Sequence, residues 1–415
     1  MRMEEQVVAE RDAGYGNGPD FSITSAQLDL QQRMRAFVLE VVIPHEAEFL
    51  AADGAGAGVI DDLRRQARAA GVYGPQLPTE LGGLGCDWRT LAIAFEEAGA
   101  SLLGPIAING AAPDEGNMHL LHAFATEDQR ARYLRPLADG RVRSAFAMTE
   151  PAPGAGSDPS MLQTTAVKRR DTWTIDGSKW FASGGVGAAF TIVMARTSVE
   201  ADPRKGASLF IVDADNPGLR VTGQVASMDH LSFVGGHAEL ELRDCQVGLD
   251  ALLGIEGDGF EHAQARLIGG RLTHCMRWLG AGRRCLEVAL GYGMQRHSQG
   301  QRLVDHEMVQ AMLADSAIDL HAARLVVWHA AWKLDIGEAA REETSIAKVF
   351  VPEAVSRIID RAVQICGAYG VTDRSMLGVF YREIRPLRIL DGPSEVHREA
   401  IARRLVRRHG SRSDA

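Results

Sequence analysis

The chain has 415 residues, longer than one hydrophobic core usually holds, so two or three domains are expected. A formal net charge of -9 argues against nucleic acid as the main partner, because phosphate binding needs a surplus of Lys and Arg. The five cysteines (Cys86, Cys245, Cys275, Cys285 and Cys366) are odd in number and lack C-x-x-C spacing, which fits reduced thiols better than disulfides or a zinc site. Met1 to Gln6 carry no apolar signal segment and no apolar run is long enough to span a bilayer, so a soluble, cytoplasmic protein is expected.

Residues 1–21 are polar and Gly-rich and are expected to be poorly ordered. From Ser25 to Phe49 the pattern is helical, with Leu28, Leu30, Met34, Phe37, Val38, Val41 and Val42 largely on one face. Further helices around Asp61–Ala70, Trp88–Ala100 and Asp128–Leu137 make residues 22–143 an N-terminal α-helical domain. Near residue 144 the period changes. Thr172–Ile175 runs into Asp176-Gly177, a turn signal, and then Lys179-Trp180-Phe181; Phe190–Thr197, Ala207–Asp213 and His237–Leu242 are also β-rich. Residues 144–252 are therefore expected to form a middle β-sheet domain. After Gly257-Asp258-Gly259-Phe260, helical patterns fill about 260–297, 304–335 and 342–369, and a last one runs from Pro393 to about Arg408. These give a C-terminal helical bundle over 253–410. The fold class is α+β with segregated layers, without the βαβ alternation of a dinucleotide fold.

Four segments offer chemistry. The first runs from Phe146-Ala147-Met148-Thr149-Glu150-Pro151 to Gly156-Ser157-Asp158; its small residues, free N–H groups and hydroxyls suit close approach to a flat polar ring or a phosphate, though most such loops are turns. The second is Trp180-Phe181-Ala182-Ser183, whose aromatic pair either flanks a ring or fills core. In the third, Gly257-x-Gly259 opens a helix as a cap or a phosphate cradle, and Arg271 and Arg296 follow on apolar helical stretches. The fourth is Ile389-Leu390-Asp391-Gly392-Pro393-Ser394-Glu395-Val396-His397, in which Asp391 is either a helix cap or a carboxylate held in an apolar pocket with a raised pKa. His119 and His122 lack acidic or Cys partners at ligand spacing, so no metal is expected.

Taken in order, these segments resemble the acyl-CoA dehydrogenase family. Met148-Thr149-Glu150-Pro151…Gly156-Ser157-Asp158 is similar to its flavin-loop signature, and Lys179-Trp180, Gly257-x-Gly259-Phe260, Arg296 and Gln364-x-x-Gly367-x-x-Gly370 match in order. Asp391-Gly392 falls where the family carries a catalytic Glu-Gly. The likeness spans about residues 25–408. It implies a helical domain, a β domain and a C-terminal four-helix bundle, with FAD as cofactor and an acyl-CoA thioester oxidised to a trans-2-enoyl-CoA. By the same resemblance Phe146, Met148, Thr149, Ser157, Trp180, Ala182 and Ser183 meet the flavin. Arg296 and Ser298, with Gln364 and Gly367, bind the FAD of a neighbouring subunit, which implies a homodimer or homotetramer. Asp391 takes the α-proton, Arg271 lies near the reacting centre, and the base's backbone N–H is half of an oxyanion hole. An electron-transfer flavoprotein is the implied acceptor.

The chain departs from the family pattern in places. Asp391 is one methylene shorter than Glu, although some members share the Asp-Gly-Pro-x-Glu-Val-His ending and a segment like Arg266–Arg277. Ala182 stands where many members carry Thr or Ser, Ala152-Pro153 reads as an insertion, and Gln299 replaces a usual Phe. Nitroalkane oxidases also use Asp on this fold, so a flavin oxidase is one alternative reading; a non-catalytic acyl-CoA- or acyl-carrier-binding protein is the other.

Overall fold

The computed structural model describes residues 20–51, 57–198, 205–229 and 234–413, so most of the segment expected to be poorly ordered lies outside the described residues. Helix α1 (Ser25–Phe37) starts at Thr24, whose hydroxyl accepts from Gln27 N while the Gln27 side chain accepts from Thr24 N. That reciprocal pair satisfies donors that a helix start leaves open. The chain continues through a π turn (Val38–Val42) and a 3-10 turn at Ile43–His45, where Pro44 lacks the N–H a regular helix would use. Helices α2 (Ala57–Ala69), α3 (Trp88–Ala98) and α4 (Asp114–Phe124) complete the main N-terminal layer.

The β domain is one sheet of eight strands: β1 (Ser144–Ala147), β2 (Thr165–Arg169), β3 (Thr172–Ser183), β4 (Phe190–Arg196), β5 (Ala207–Asp213), β6 (Leu219–Val225), β7 (His237–Gly248) and β8 (Leu252–Leu253). The order is β6-β7-β3-β2-β4-β5-β8, and β1 pairs with β4 in parallel. The expected turn at Asp176-Gly177 is not a turn. β3 continues through it, and the register against β7 slips between Ile175 and Gly177. The dipeptide is a β-bulge, where an extra residue bends a strand without reversing it. Gly177 is required there, because a Cβ would lie 2.4 Å from Thr164 Oγ1. Trp173 is buried edge-on to Phe210, with centroids 5.1 Å apart, and anchors one face of the sheet. The other face packs Phe190, Ile192 and Leu209 against Met118 and Leu121 of α4, so the sheet and the N-terminal helices share a core.

The C-terminal bundle comprises α5 (Gly259–Gln295), α6 (Glu307–Asp335), α7 (Arg341–Cys366), α8 (Leu377–Ile384) and α9 (Ser394–Ser413). Gly257 N donates to Ser208 Oγ at 2.8 Å, and a Cβ on Gly259 would lie 2.6 Å from Ser208 C. The Gly-x-Gly therefore docks α5 onto β5. Helices α3 and α5 cross at glycine: a Cβ on Gly280 would meet Glu96 O at 2.0 Å, and one on Gly99 would meet Arg277 O at 1.8 Å. Buried Glu96 and Glu97 at that crossing take bidentate pairs from Arg324 and Arg35, a geometry suited to the planar guanidinium. No helix among the described residues is long and apolar enough to cross a membrane.

Candidate active site

A short segment between α8 and α9 presents Asp391. The 3-10 turn Arg385–Arg388 ends α8's run, and α9 begins at Ser394. Asp391 has φ +55° and Gly392 φ +99°. The left-handed region costs a non-glycine residue about 1 kcal/mol, so neighbours must hold it. Arg271 Nε donates to the Asp391 carbonyl at 2.7 Å, and His397 Nε2 lies 3.4 Å from the same oxygen. Asp391 Oδ2 is 2.9 Å from His274 Nδ1. No other hydrogen bond to the carboxylate and none from the Asp391 backbone N–H is found among the described residues. A helix-capping Asp would spend its oxygens on backbone N–H groups of the first turn; this one does not.

The charges around Asp391 overturn the expectation of a raised pKa. Burial pushes the carboxyl up, but the hydrogen bond from His274 and the positive charges of Arg266 and Lys348 outweigh it and hold the group well below the usual carboxylate range. The pocket is apolar in part only, and the cations beneath it decide the sign. His274 is itself pushed down, first by burial and then by Arg277, against the pull of Asp391. The consistent state is a neutral imidazole donating Nδ1–H to a carboxylate. A cavity of about 50 Å³ adjoins this pair, lined by Leu102, Pro105, Ala112, His274, Trp278 and Leu390 among others.

The second group of expected residues lies on the β domain. Thr149 Oγ1 donates to Trp180 O at 2.8 Å and Trp180 N donates to Thr149 O at 3.1 Å, so these two arrive as a unit. Met148 offers its carbonyl to Lys179 Nζ at 3.1 Å, and Phe146 has the Arg266 guanidinium 4.2 Å from its ring centroid. Ser157 is exposed, Trp180 is half-buried, and Phe181 stands edge-on to Trp180 at 5.1 Å. Ala182 is fully buried opposite Ala238 of β7, which leaves only its backbone for a ligand. The Ser183 hydroxyl is joined to His237 Nδ1 at 2.9 Å, and His237 Nε2 lies 3.1 Å from Asp229. The exposed Ser157, the oxygen lone pairs of the Thr149 hydroxyl and the half-buried Trp180 edge line a surface that suits a flat polar ring.

Beneath this loop lies a pair that reading the sequence did not single out. Glu150 accepts from Lys179 Nζ (2.9 Å), Gln163 N (2.7 Å), Thr164 N (2.9 Å), Thr164 Oγ1 (2.6 Å) and Ala155 N (3.1 Å). Burial raises the Glu150 pKa, but Lys179 and these donors bring it to about 2; burial takes Lys179 down to about 8. The pair ties both ends of the loop to β3.

The third group sits elsewhere. Arg296 and Ser298 follow the C-terminus of α5 and are exposed, as are Gln364 and Gly367 at the C-terminus of α7. Stacked Tyr292 and Tyr369 rings, 5.4 Å apart and 2° from parallel, join the two helix ends. Arg296 is 25 residues along α5 from Arg271, roughly 37 Å at 1.5 Å per residue. These four residues are thus gathered together but far from Asp391. His274, Arg266 and Lys348 escaped the sequence reading as site residues. Spacing of three to four along α5 puts 267, 271 and 274 on one face, which is a signal for His274 once Arg271 is suspected; Lys348 comes from α7 and has none.

The acyl-CoA dehydrogenase N-terminal, middle and C-terminal domain families match residues 24–141, 145–245 and 257–406. The "Probable acyl-CoA dehydrogenase FadE2" of Mycobacterium tuberculosis is 37% identical, over 94% of this chain and 98% of that protein. Human acyl-CoA dehydrogenase family member 11 is 35% identical over 86% of this chain, which spans only 46% of that longer protein. Among solved structures, butyryl-CoA dehydrogenase from Megasphaera elsdenii is 29% identical with a TM-score of 0.83, covering 93% of this chain and 100% of that one. The acyl-CoA dehydrogenase from Geobacillus kaustophilus is 27% identical with a TM-score of 0.82, covering 93% and 99%. The chain belongs to the acyl-CoA dehydrogenase family and is an FAD-dependent oxidoreductase.

Proposed function

We propose that this protein removes the α-proton and a β-hydride from an acyl-CoA thioester, giving a trans-2-enoyl-CoA, with Asp391 as the α-proton base. One observation carries the reading: among the described residues neither Asp391 Oδ1 nor the Asp391 backbone N–H has a hydrogen-bond partner, although the side chain is mostly buried. An α-proton of a thioester is weakly acidic and leaves only if charge developing on the carbonyl oxygen is stabilised. The Asp391 N–H donates to that oxygen, and Oδ1 accepts the proton. Arg271, fixed on the Asp391 carbonyl, holds the peptide that carries both groups. The lowered pKa keeps the carboxylate ionised throughout the physiological range, so the base is always loaded.

Thr149, Ser157, Trp180 and the backbone near Ala182 would hold the isoalloxazine; bound FAD supplies the hydride acceptor. Arg296, Ser298, Gln364 and Gly367 would meet the FAD of a neighbouring copy, because roughly 37 Å of helix separates them from Asp391. That makes a homo-oligomer, dimer or tetramer, and electron-transfer flavoprotein is the proposed acceptor. Five unpaired cysteines support a reducing, cytoplasmic setting. The test is α-hydrogen exchange in D2O. The holoenzyme should wash deuterium into the α position of a bound thioester, and Asp391→Asn, with FAD retained, should not. Exchange at the wild-type rate in the variant would remove Asp391 from the role.

A further inference from the structure

We propose that His274 is the positioning residue of the base: it pins one oxygen of Asp391 so that the other faces the substrate. The inference rests on Asp391 being the base and goes beyond it by naming what makes so short a side chain usable. Asp391 has one methylene fewer than Glu, has φ +55° and is followed by a glycine with φ +99°, so its reach is short and its side chain leaves an unusual backbone. Arg271 fixes the carbonyl of that residue but touches no carboxylate oxygen. Among the described residues the only hydrogen bond found on the carboxylate is His274 Nδ1 to Oδ2, at 2.9 Å. The side chains of His274 and Asp391 are 11% and 19% exposed, so the pair is mostly dry while the carboxylate keeps an open side.

Without that donor the carboxylate has competing attractions. Arg266 and Lys348 both pull on its charge. The groups that bear on the pair come from several elements: Arg271 and Arg277 on α5 itself, Glu115 on α4, Lys348 on α7, and His397 on α9. Asp229 and Glu383 line the same cavity as His274. In this mixed field a free Asp391 would turn to a cation instead of the substrate. His274 is suited to prevent it because its own ring is held neutral, so Nδ1–H is a fixed donor and not a titrating partner. A donor to a carboxylate favours the charged form, so the same bond keeps the base ionised at lower pH.

The test compares His274→Leu and His274→Asn in the FAD-loaded holoenzyme, using butyryl-, octanoyl- and palmitoyl-CoA as probes and the rate of anaerobic flavin reduction as the readout. Asn places an amide N–H near where imidazole Nδ1 was; Leu removes the donor and keeps bulk. His274→Leu should slow reduction about 30-fold to 100-fold with KM little changed, the scale of a misplaced reacting group. His274→Asn should stay within about fivefold. The acid limb of kcat/KM should move to higher pH in His274→Leu only, since losing a donor raises the pKa of Asp391. FAD content and far-UV circular dichroism report folding. If both variants reduce at the wild-type rate with an unmoved acid limb, His274 is packing and the inference fails. If both are equally inactive while folded, the imidazole does something an amide cannot and positioning is refuted. Asp391→Asn in the same series separates the two claims: rapid reduction there sinks the base itself, whereas an inactive Asp391→Asn beside an active His274→Leu sinks only the positioning role.

Discussion

Replacing Glu150 by Leu should cost far more than replacing its partner Lys179 by Met, although each breaks the same ion pair. Lys179→Met leaves a carboxylate that still accepts from Ala155 N, Gln163 N, Thr164 N and Thr164 Oγ1. Glu150→Leu leaves a fully buried ammonium with only the Met148 carbonyl. Removing one partner of a buried pair costs about 3–5 kcal/mol, whereas replacing both by apolar groups of similar volume is often near neutral. The expected order is therefore a loss of about 3–5 kcal/mol for Glu150→Leu and about 1 kcal/mol for Lys179→Met, with the double variant less costly than Glu150→Leu because no ammonium is stranded, yet worse than Lys179→Met because four donors lose their acceptor. At 2–4 °C per kcal/mol the first is a fall of roughly 10 °C in Tm. The pH dependence has a definite sign. Lys179 has a pKa of about 8 folded against 10.5 in the reference state, so between these the unfolded chain binds more protons and stability rises with pH. Without Glu150 the lower edge of that window drops below 8, and Glu150→Leu should regain stability between pH 7 and 10. Glu150, about 2 folded against 4.5, gives stability that is full above 4.5 and lost as pH falls toward 2 in the wild type. Thermal scans across pH, with released FAD measured by fluorescence, decide it. Equal losses for the two single variants, or strictly additive losses in the double, would refute the reasoning.

Other perturbations follow from particular contacts. Gly280→Ala should force α3 and α5 apart, because the new Cβ would lie 2.0 Å from Glu96 O; a loss of about 1–3 kcal/mol in urea unfolding is expected, against near-neutral Gly291→Ala, which meets nothing within 4 Å. Arg296→Glu should lower FAD retention and reduce the oligomer's mass in analytical ultracentrifugation while leaving the Asp391 pocket's fold intact, since the two lie at opposite reaches of α5. An unchanged FAD content at high dilution would contradict the neighbour-subunit role.

The architecture was legible because its periodicities are strong. The change from a 3.6-residue to a two-residue repeat near 144 and back after Gly259 marks the three layers, and α5, α6 and α7 fall close to their expected spans. The failures have local causes. Asp176-Gly177 carries turn chemistry, yet β7 pairs on both sides of it and Thr164 occupies the space that makes glycine necessary, so the sheet absorbed the signal as a bulge. Helix α8 was missed because eight residues give barely two turns of pattern. Asp391 was found through motif order, but its ionisation was misjudged. The cations that set it come from α5 and α7, and their approach is a tertiary fact that no spacing around Asp391 encodes. Glu150 and Lys179, 29 residues apart, are likewise paired only by the sheet that folds the loop onto β3.

The most direct test of the account is the visible spectrum of the purified holoenzyme titrated anaerobically with acyl-CoAs of graded length, alongside Asp391→Asn. The account predicts a flavin band in both proteins, bleached by at least one thioester in the wild type with appearance of the enoyl-CoA, and untouched in the variant. A flavin band that no thioester bleaches in the wild type, or that bleaches equally fast in Asp391→Asn, would contradict it.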